Sequence, residues 1–91
     1  MQSPLCVIVY SRAGCHLCEI LLEEIQPLLR GRASLQVIDV DADANLTARY
    51  GERVPVVEVA GEFVCQYHLD RAALAAALTR ATAPGGASPA A

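Results

Sequence analysis

The sequence predicts a single α/β domain that has a four-stranded mixed sheet with helices on both faces. Its 91 residues, 54% hydrophobic and 19% charged, have the size and composition of one globular domain. Apolar β-branched runs alternate with segments of helical spacing, and the last two such runs flank a tight turn. The expected order is β-α-β-α-β-β-α, in which the opening β-α-β unit makes the first two strands parallel and the closing hairpin is antiparallel. We expect residues 1–82 to form this domain and residues 83–91 to be a flexible tail.

The first strand and the first helix meet at a short polar turn. Residues 5–10 are a continuous apolar run, which predicts a strand buried on both faces. Residues 11–14 form the turn, and apolar residues then recur at helical spacing as far as position 29. Pro27 has no N–H for the preceding turn of the helix, so we expect a kink or an early end there. Gly31 is the expected stop signal.

The remaining elements are shorter. Aspartates at positions 43 and 70 precede helical segments and are expected to cap them. The predicted elements are a strand at 35–40, a short helix that follows Asp43 and runs through Tyr50, a strand at 54–59, a strand at 63–65 and a helix from 71 to about 80.

The basic residues of this chain are all arginines. The absence of lysine excludes Schiff-base chemistry and the phosphate-binding loop that requires a lysine. The net charge is −3 and the arginines are dispersed, so we expect no nucleic-acid partner. No apolar run approaches the roughly 20 residues of a membrane span, and no export signal is recognisable. We therefore expect a monomeric cytoplasmic protein without a membrane partner.

Cys15 and Cys18 form a C-x-x-C pair at the predicted junction of the first strand and first helix. Unpaired N–H groups and the positive end of the helix dipole favour a thiolate there. Cys15 is accordingly the expected nucleophile and the more exposed sulfur. Cys18, one turn further along the same face, is expected to resolve a mixed disulfide. Chance spacing or zinc binding are the alternatives, but the strand-to-helix position favours redox chemistry.

Two further features lie near this pair. His16 is either a charge or hydrogen-bond donor beside the thiolate, or an exposed loop histidine without a role. The other histidine, His68, is expected to be a surface residue. Val54-Pro55 opens a strand, which indicates a special turn, and both a cis and an ordinary trans bond are open from the residues alone.

The other two cysteines, Cys6 and Cys65, are expected to remain free. Cys6 lies in an apolar strand and is interpreted as a small buried hydrophobe. The first and fourth strands flank the third, so these two cysteines are expected to be roughly 9–10 Å apart. A disulfide needs Cα atoms within about 7 Å, which excludes a bridge between them. Cys65 is either buried or an auxiliary thiol at the edge of the site.

The segments Tyr10-Ser11-Arg12-x-Gly14-Cys15-His16-Leu17-Cys18 and Tyr50-Gly51-x-Arg53-Val54-Pro55-Val56 resemble those of glutaredoxin-like proteins of the thioredoxin fold. The resemblance covers residues 5 to about 80. It implies a thioredoxin-like fold in which Pro55 is cis and faces the cysteines. It also implies that the backbone of Val54 pairs with the sulfur-bearing substrate, and that Arg12 contacts a glutathione carboxylate. The Gly-Gly pair that glutaredoxins carry after the last strand is replaced here by Cys65-Gln66-Tyr67-His68.

The leading functional hypothesis is a thiol-disulfide oxidoreductase without a bound cofactor. Its partner would be a disulfide-containing protein or a glutathione mixed disulfide, and glutathione is a candidate reductant. Two other hypotheses stay open. The same cysteines could hold a metal or an iron–sulfur cluster, or the fold could serve as a redox-inert adaptor.

Overall fold

A computed structural model describes residues 5–82 of the chain, and the predicted tail at 83–91 lies outside this range. Seven helices and strands and one short 3-10 turn follow one another in the predicted order. They are β1 (Cys6–Ser11), α1 (His16–Leu29), β2 (Ser34–Asp39), the 3-10 turn (Val40–Ala42), α2 (Ala44–Tyr50), β3 (Val56–Val59), β4 (Glu62–Gln66) and α3 (Arg71–Thr82).

The four strands form one mixed sheet in the order β2-β1-β3-β4. β1 and β2 are parallel, whereas β1 pairs with β3 and β3 with β4 in the antiparallel sense. The predicted topology is therefore confirmed. Because β1 is central, its carboxyl end carries the following loop to the middle of one sheet edge, where sites of open α/β folds form.

The main core lies between the sheet and the helices α1 and α3. Val7 and Val9 of β1 are fully buried there, beside Leu21 of α1 and Leu74 and Leu78 of α3. These strand residues are two positions apart and thus share one face of the sheet. This layer fixes α1, and with it the C-x-x-C segment, against the sheet.

The opposite face of the sheet is covered only in part. Tyr50 of α2 packs there with Val40 and Val56, and Tyr10 lies against this smaller cluster. The prediction that β1 is buried on both faces is wrong, because Ile8 and its same-face neighbours are only half-buried. The physical reason is that α2 has only seven residues and covers one end of this face.

Several predicted boundaries shift by one or two residues. α1 continues past Pro27 to Leu29, so the proline lies in the last helical turn. β3 begins at Val56 rather than at position 54, directly after the Val54-Pro55 bond. The predicted caps are confirmed, since Asp43 and Asp70 accept hydrogen bonds from backbone N–H groups of the helices that follow them.

No helix within residues 5–82 has the length and apolarity needed to cross a membrane.

Candidate dithiol site

Cys15 is the N-cap of α1, and its sulfur lies where a thiolate is stabilised. The backbone N–H of Cys18 donates a hydrogen bond to Cys15 Sγ, with an N–S distance of 3.1 Å. The two sulfurs are within disulfide distance, and the Cα atoms are 5.2 Å apart. Cys15 is half-buried, whereas Cys18 is only 1% exposed. The first sulfur is therefore the accessible one, and the second is held behind it.

His16 follows Cys15 and points into solvent. Its side chain is 82% exposed, and its Nδ1 lies 3.5 Å from Oε1 of Glu19, one turn further along α1. The one side-chain contact of the imidazole is therefore with Glu19, within the described part of the chain. His68 is also exposed, as expected.

The guanidinium of Arg12 is occupied by neighbouring parts of the chain. Its Nε and Nη2 each donate to a carboxylate oxygen of Asp41 at 2.9 Å, and its Nη1 donates to the carbonyl of Gly51 at 2.9 Å. This bidentate pair lowers the pKa of Asp41 and raises that of Arg12. The backbone carbonyl of Arg12 accepts the N–H of Cys15 at 3.2 Å. Arg12 therefore links the dithiol loop to the 3-10 turn and to the residue after α2.

The Val54-Pro55 peptide bond is cis, as the family resemblance implies. Val56 pairs with Tyr10, so Pro55 lies at the sheet edge where β1 ends and the dithiol loop begins. Within residues 5–82, neither the N–H nor the carbonyl of Val54 has a hydrogen-bond partner. The backbone at Val54 is therefore free to pair with another chain.

The segment after β4 is tied to the loop that carries the cis proline. The N–H of Tyr67 donates to the carbonyl of Pro55 at 2.8 Å, and its hydroxyl donates to the carbonyl of Glu52 at 3.1 Å. Gln66 accepts a hydrogen bond from Nε of Arg53 at 2.8 Å. Tyr67 is held at a φ of +68°, in the left-handed region that side chains other than glycine adopt infrequently.

Cys6 and Cys65 are free cysteines in the described part of the chain, as expected. Cys65 lies on β4 and is buried, and this burial raises the pKa of its thiol. Of the two alternatives for Cys65, a buried residue or an auxiliary thiol at the edge of the site, the structure supports the buried residue. Cys6 is half-buried rather than buried, which corrects the sequence-based expectation. It lies on the incompletely covered face of the sheet.

No group of three or more His, Cys, Asp or Glu side chains placed to hold a metal ion occurs among residues 5–82.

Comparisons with known proteins agree with this fold. The family model described as Glutaredoxin-like domain (DUF836) matches residues 6–79. The solution NMR structure of protein Ne2328 from Nitrosomonas europaea is 34% identical, with a TM-score of 0.72, and the match covers 84% of this chain and 93% of that one. A structural genomics target protein from X. campestris is 30% identical over 77% of this chain and 91% of its own, with a TM-score of 0.61.

A more distant match shows the fold. Glutaredoxin C1 from Populus tremula x tremuloides, in its holo form, is 23% identical with a TM-score of 0.58, and the match covers 84% of this chain and 85% of that one. The search of curated proteins gave no significant match.

Sequence reasoning missed the residues that join the loops around the dithiol. Asp41 has no sequence signal beyond its place in the polar stretch 41–45 that follows the second strand, although it binds Arg12 from 29 positions away. In the sequence, Tyr67 stands out only as part of a departure from the glutaredoxin pattern, although it binds the loop of the cis proline. Gly51 offered a readable signal, because a glycine after a helix is a stop signal. Its second role, allowing the close approach of Arg12, needed the tertiary structure.

Proposed function

Because the chain belongs to the glutaredoxin-like domain family and carries a C-x-x-C pair at a helix N-terminus, we propose that it is a dithiol thiol-disulfide oxidoreductase. One observation carries this proposal: the half-buried Cys15 sulfur accepts the N–H of the buried Cys18 at 3.1 Å. That hydrogen bond and the helix dipole both favour a negative charge on Cys15, which is the charge of a nucleophilic thiolate.

In the proposed first step, the Cys15 thiolate attacks one sulfur of a substrate disulfide. A bond forms between Cys15 Sγ and that sulfur, the substrate S–S bond breaks, and the leaving sulfur departs with the electron pair and is protonated. The N–H that stabilised the thiolate thus also holds Cys15 in position for attack.

In the second step, the deprotonated Cys18 attacks Cys15 Sγ. The mixed disulfide breaks, the second substrate sulfur leaves as a thiolate and takes up a proton, and the enzyme keeps a Cys15–Cys18 disulfide. The Cα separation of 5.2 Å lies within the range of ordinary disulfides, so no backbone movement is required. Two electrons have then passed from the dithiol to the substrate, and a thiol reductant, for which glutathione is the candidate, returns them.

Three of the predicted substrate-binding residues keep that role in the proposal. The unpaired backbone N–H and carbonyl of Val54 are available to an extended substrate beside the dithiol, and Pro55 sets the direction of that backbone. The exposed His16 is available to the leaving sulfur as a proton donor.

Arg12 has a different proposed role, because it has little capacity left for a glutathione carboxylate. Three of its five N–H donors are already engaged, two with Asp41 and one with Gly51. We assign it the positioning of the dithiol loop.

The test is reduction of a disulfide-linked fluorescent peptide, measured for wild type and single-cysteine variants. We expect Cys15→Ser to lower the rate at least about 100-fold, to the uncatalysed background. Cys18→Ser should accumulate a mixed disulfide that mass spectrometry detects at Cys15. Cys6→Ser and Cys65→Ser are the matched thiol controls and should retain activity.

Full activity of Cys15→Ser would contradict the proposal. A dithiol that fails to oxidise and reduce reversibly would favour the adaptor hypothesis. Stoichiometric metal in protein purified without oxygen would favour the metal-binding hypothesis.

A further inference from the structure

A groove of about 190 Å³ lies beside the dithiol, between α1 and the segment after β4. Leu17, Ile20, Leu21 and Glu24 line its helical wall, and residues 67–69 line the opposite wall. The four helical residues are spaced i, i+3, i+4 and i+7, so they form one stripe along α1. The groove therefore begins in the first turn of the helix that carries the dithiol and extends away along that helix.

The two walls of the groove carry exposed apolar surface. The side chains of Ile20 and Tyr67, on opposite walls, are each 39% exposed. Tyr67 is fixed by the two hydrogen bonds it donates to the cis-proline loop, so this wall is preformed rather than built when a ligand binds. An aliphatic chain entering the groove would bury these surfaces.

Glu24 places an uncompensated negative charge in the same groove. Its side chain is half-buried, and it has no hydrogen-bond or ion-pair partner among residues 5–82. By contrast, Glu19 lies beside His16, and Glu62 pairs with Arg80. A carboxylate that apolar neighbours shield partly from water attracts a cation more strongly than one in bulk solvent. The groove thus combines apolar surface from Leu17 and Ile20 with polar wall surface that includes His68, and Glu24 is the one acidic side chain that lines it.

We propose that this groove is a substrate subsite for a basic side chain, and that the substrate is a polypeptide disulfide with a lysine or arginine near the attacked cysteine. The inference rests on the proposed oxidoreductase function. The methylene stem of such a side chain lies against Leu17 and Ile20, and its cation meets the carboxylate of Glu24.

The length of the groove limits where the basic residue lies in the substrate. Glu24 is nine residues after Cys15, which corresponds to about 13 Å along a helix. An extended peptide covers about 3.3 Å per residue, and a lysine side chain adds roughly 6 Å of reach. The basic residue therefore lies about two to four positions from the substrate cysteine.

The same charge disfavours glutathione as the preferred disulfide partner. Glutathione has two carboxylates, and its one cation, the α-ammonium group, is attached beside one of them, so it offers no cation on an apolar stem to the groove. The nearby Arg12, which would attract a carboxylate, is engaged with Asp41. A polypeptide with a basic residue can make both the apolar contact and the contact with Glu24, whereas glutathione cannot.

The test compares two disulfide peptides that differ only in having lysine or glutamate three positions from the reactive cysteine. We expect a higher kcat/KM for the lysine peptide with wild type. Glu24→Gln should lower kcat/KM for that peptide about three- to tenfold, through KM rather than kcat. Glu24→Lys should reverse the preference between the two peptides. Glu23→Gln is the matched control, because Glu23 is the exposed neighbour outside the groove.

A second readout separates this subsite from the redox chemistry. The peptides are made with serine in place of cysteine, and their binding to the protein is followed through the backbone amide NMR signals of the protein's Leu17 and Tyr67. Lysine-dependent binding that Glu24→Gln weakens would support the subsite even if no variant turned over a disulfide, in which case only the oxidoreductase proposal would fail. Turnover with equal preference for both peptides, or equal effects of the Glu24 and Glu23 variants, would overturn the subsite alone.

Discussion

Arg12 joins three parts of the chain around the candidate site. Its carbonyl accepts the N–H of Cys15, while its guanidinium binds Asp41 and the carbonyl of Gly51. A Cβ at Gly51 would lie 2.5 Å from the carbonyl oxygen of Thr47 and 3.1 Å from Arg12 Nη2, so the contact requires glycine there. A single side chain thus couples the loop of the nucleophile to the loop that leads to the cis proline.

The ion pair between Arg12 and Asp41 predicts a specific pH dependence of the free energy of unfolding. The folded state lowers the pKa of Asp41 below its ordinary 3.8, chiefly through the hydrogen bonds from Arg12. The stabilisation is therefore fully present above pH 3.8 and is lost as the pH falls through the lower, folded pKa. We expect Asp41→Asn to unfold at lower urea concentration than wild type at pH 7, with the difference shrinking below pH 3.8.

The control for this prediction is Glu23→Gln, which removes an exposed carboxylate on α1. Its unfolding should follow the wild-type pH dependence. A difference between Asp41→Asn and wild type that stayed constant from pH 7 to pH 3 would contradict the assignment.

At the scale of elements, α2 is the part of the fold that depends most on its ends. It has seven residues, and a helix this short is marginal in isolation. Asp43 accepts the N–H groups of Asn45 and Leu46 at its start, and the N–H of Gly51 donates to the carbonyl of Thr47 at its end. These end contacts and the packing of its last residue hold the helix that leads into the cis-proline loop.

Removing the cap of α2 should therefore cost measurable stability. We expect Asp43→Ala to lower the free energy of unfolding by about 1 kcal/mol, because two backbone N–H groups lose their acceptor. Asp43→Asn keeps a capping oxygen and should remain close to wild type. Urea unfolding with an unchanged m-value is the measurement, and equal losses for the two variants would show that the charge, rather than the cap, matters.

On the scale of the whole molecule, the two faces of the sheet carry unequal shares of the core. The face covered by α1 and α3 contains most of the fully buried side chains, whereas α2 covers one end of the other face. A chain of 91 residues has a total stability of about 5–14 kcal/mol, so a single core residue on the first face is a large part of it.

Leu21 and Ile8 test this asymmetry. Leu21→Ala should cost about 2–5 kcal/mol, since its side chain is fully buried between α1 and the sheet. Ile8→Ala lies on the partly covered face and should cost less than half as much. Both values come from urea unfolding monitored by circular dichroism, and equal costs would contradict the unequal division of the core.

Local signals were enough to predict the order of elements, the two aspartate caps and the dithiol at a helix start. Each depends on contacts within a few residues, such as the bond from the Cys18 N–H to Cys15 Sγ. The burial of Cys6 was predicted wrongly, because burial depends on which helix covers a sheet face and how far it reaches. The extent of α2 on that face is a property of packing, not of the strand's own composition.

The sequence by itself determined the fold class and the position of the reactive pair, because periodicity and helix-end chemistry are local. Only the tertiary structure decided that Arg12 binds Asp41 and that Tyr67 and Glu24 enclose a groove beside the dithiol. These residues are separated by 29 positions in the first case and 43 in the second. Their contacts depend on how loops meet at one sheet edge, which no local pattern specifies.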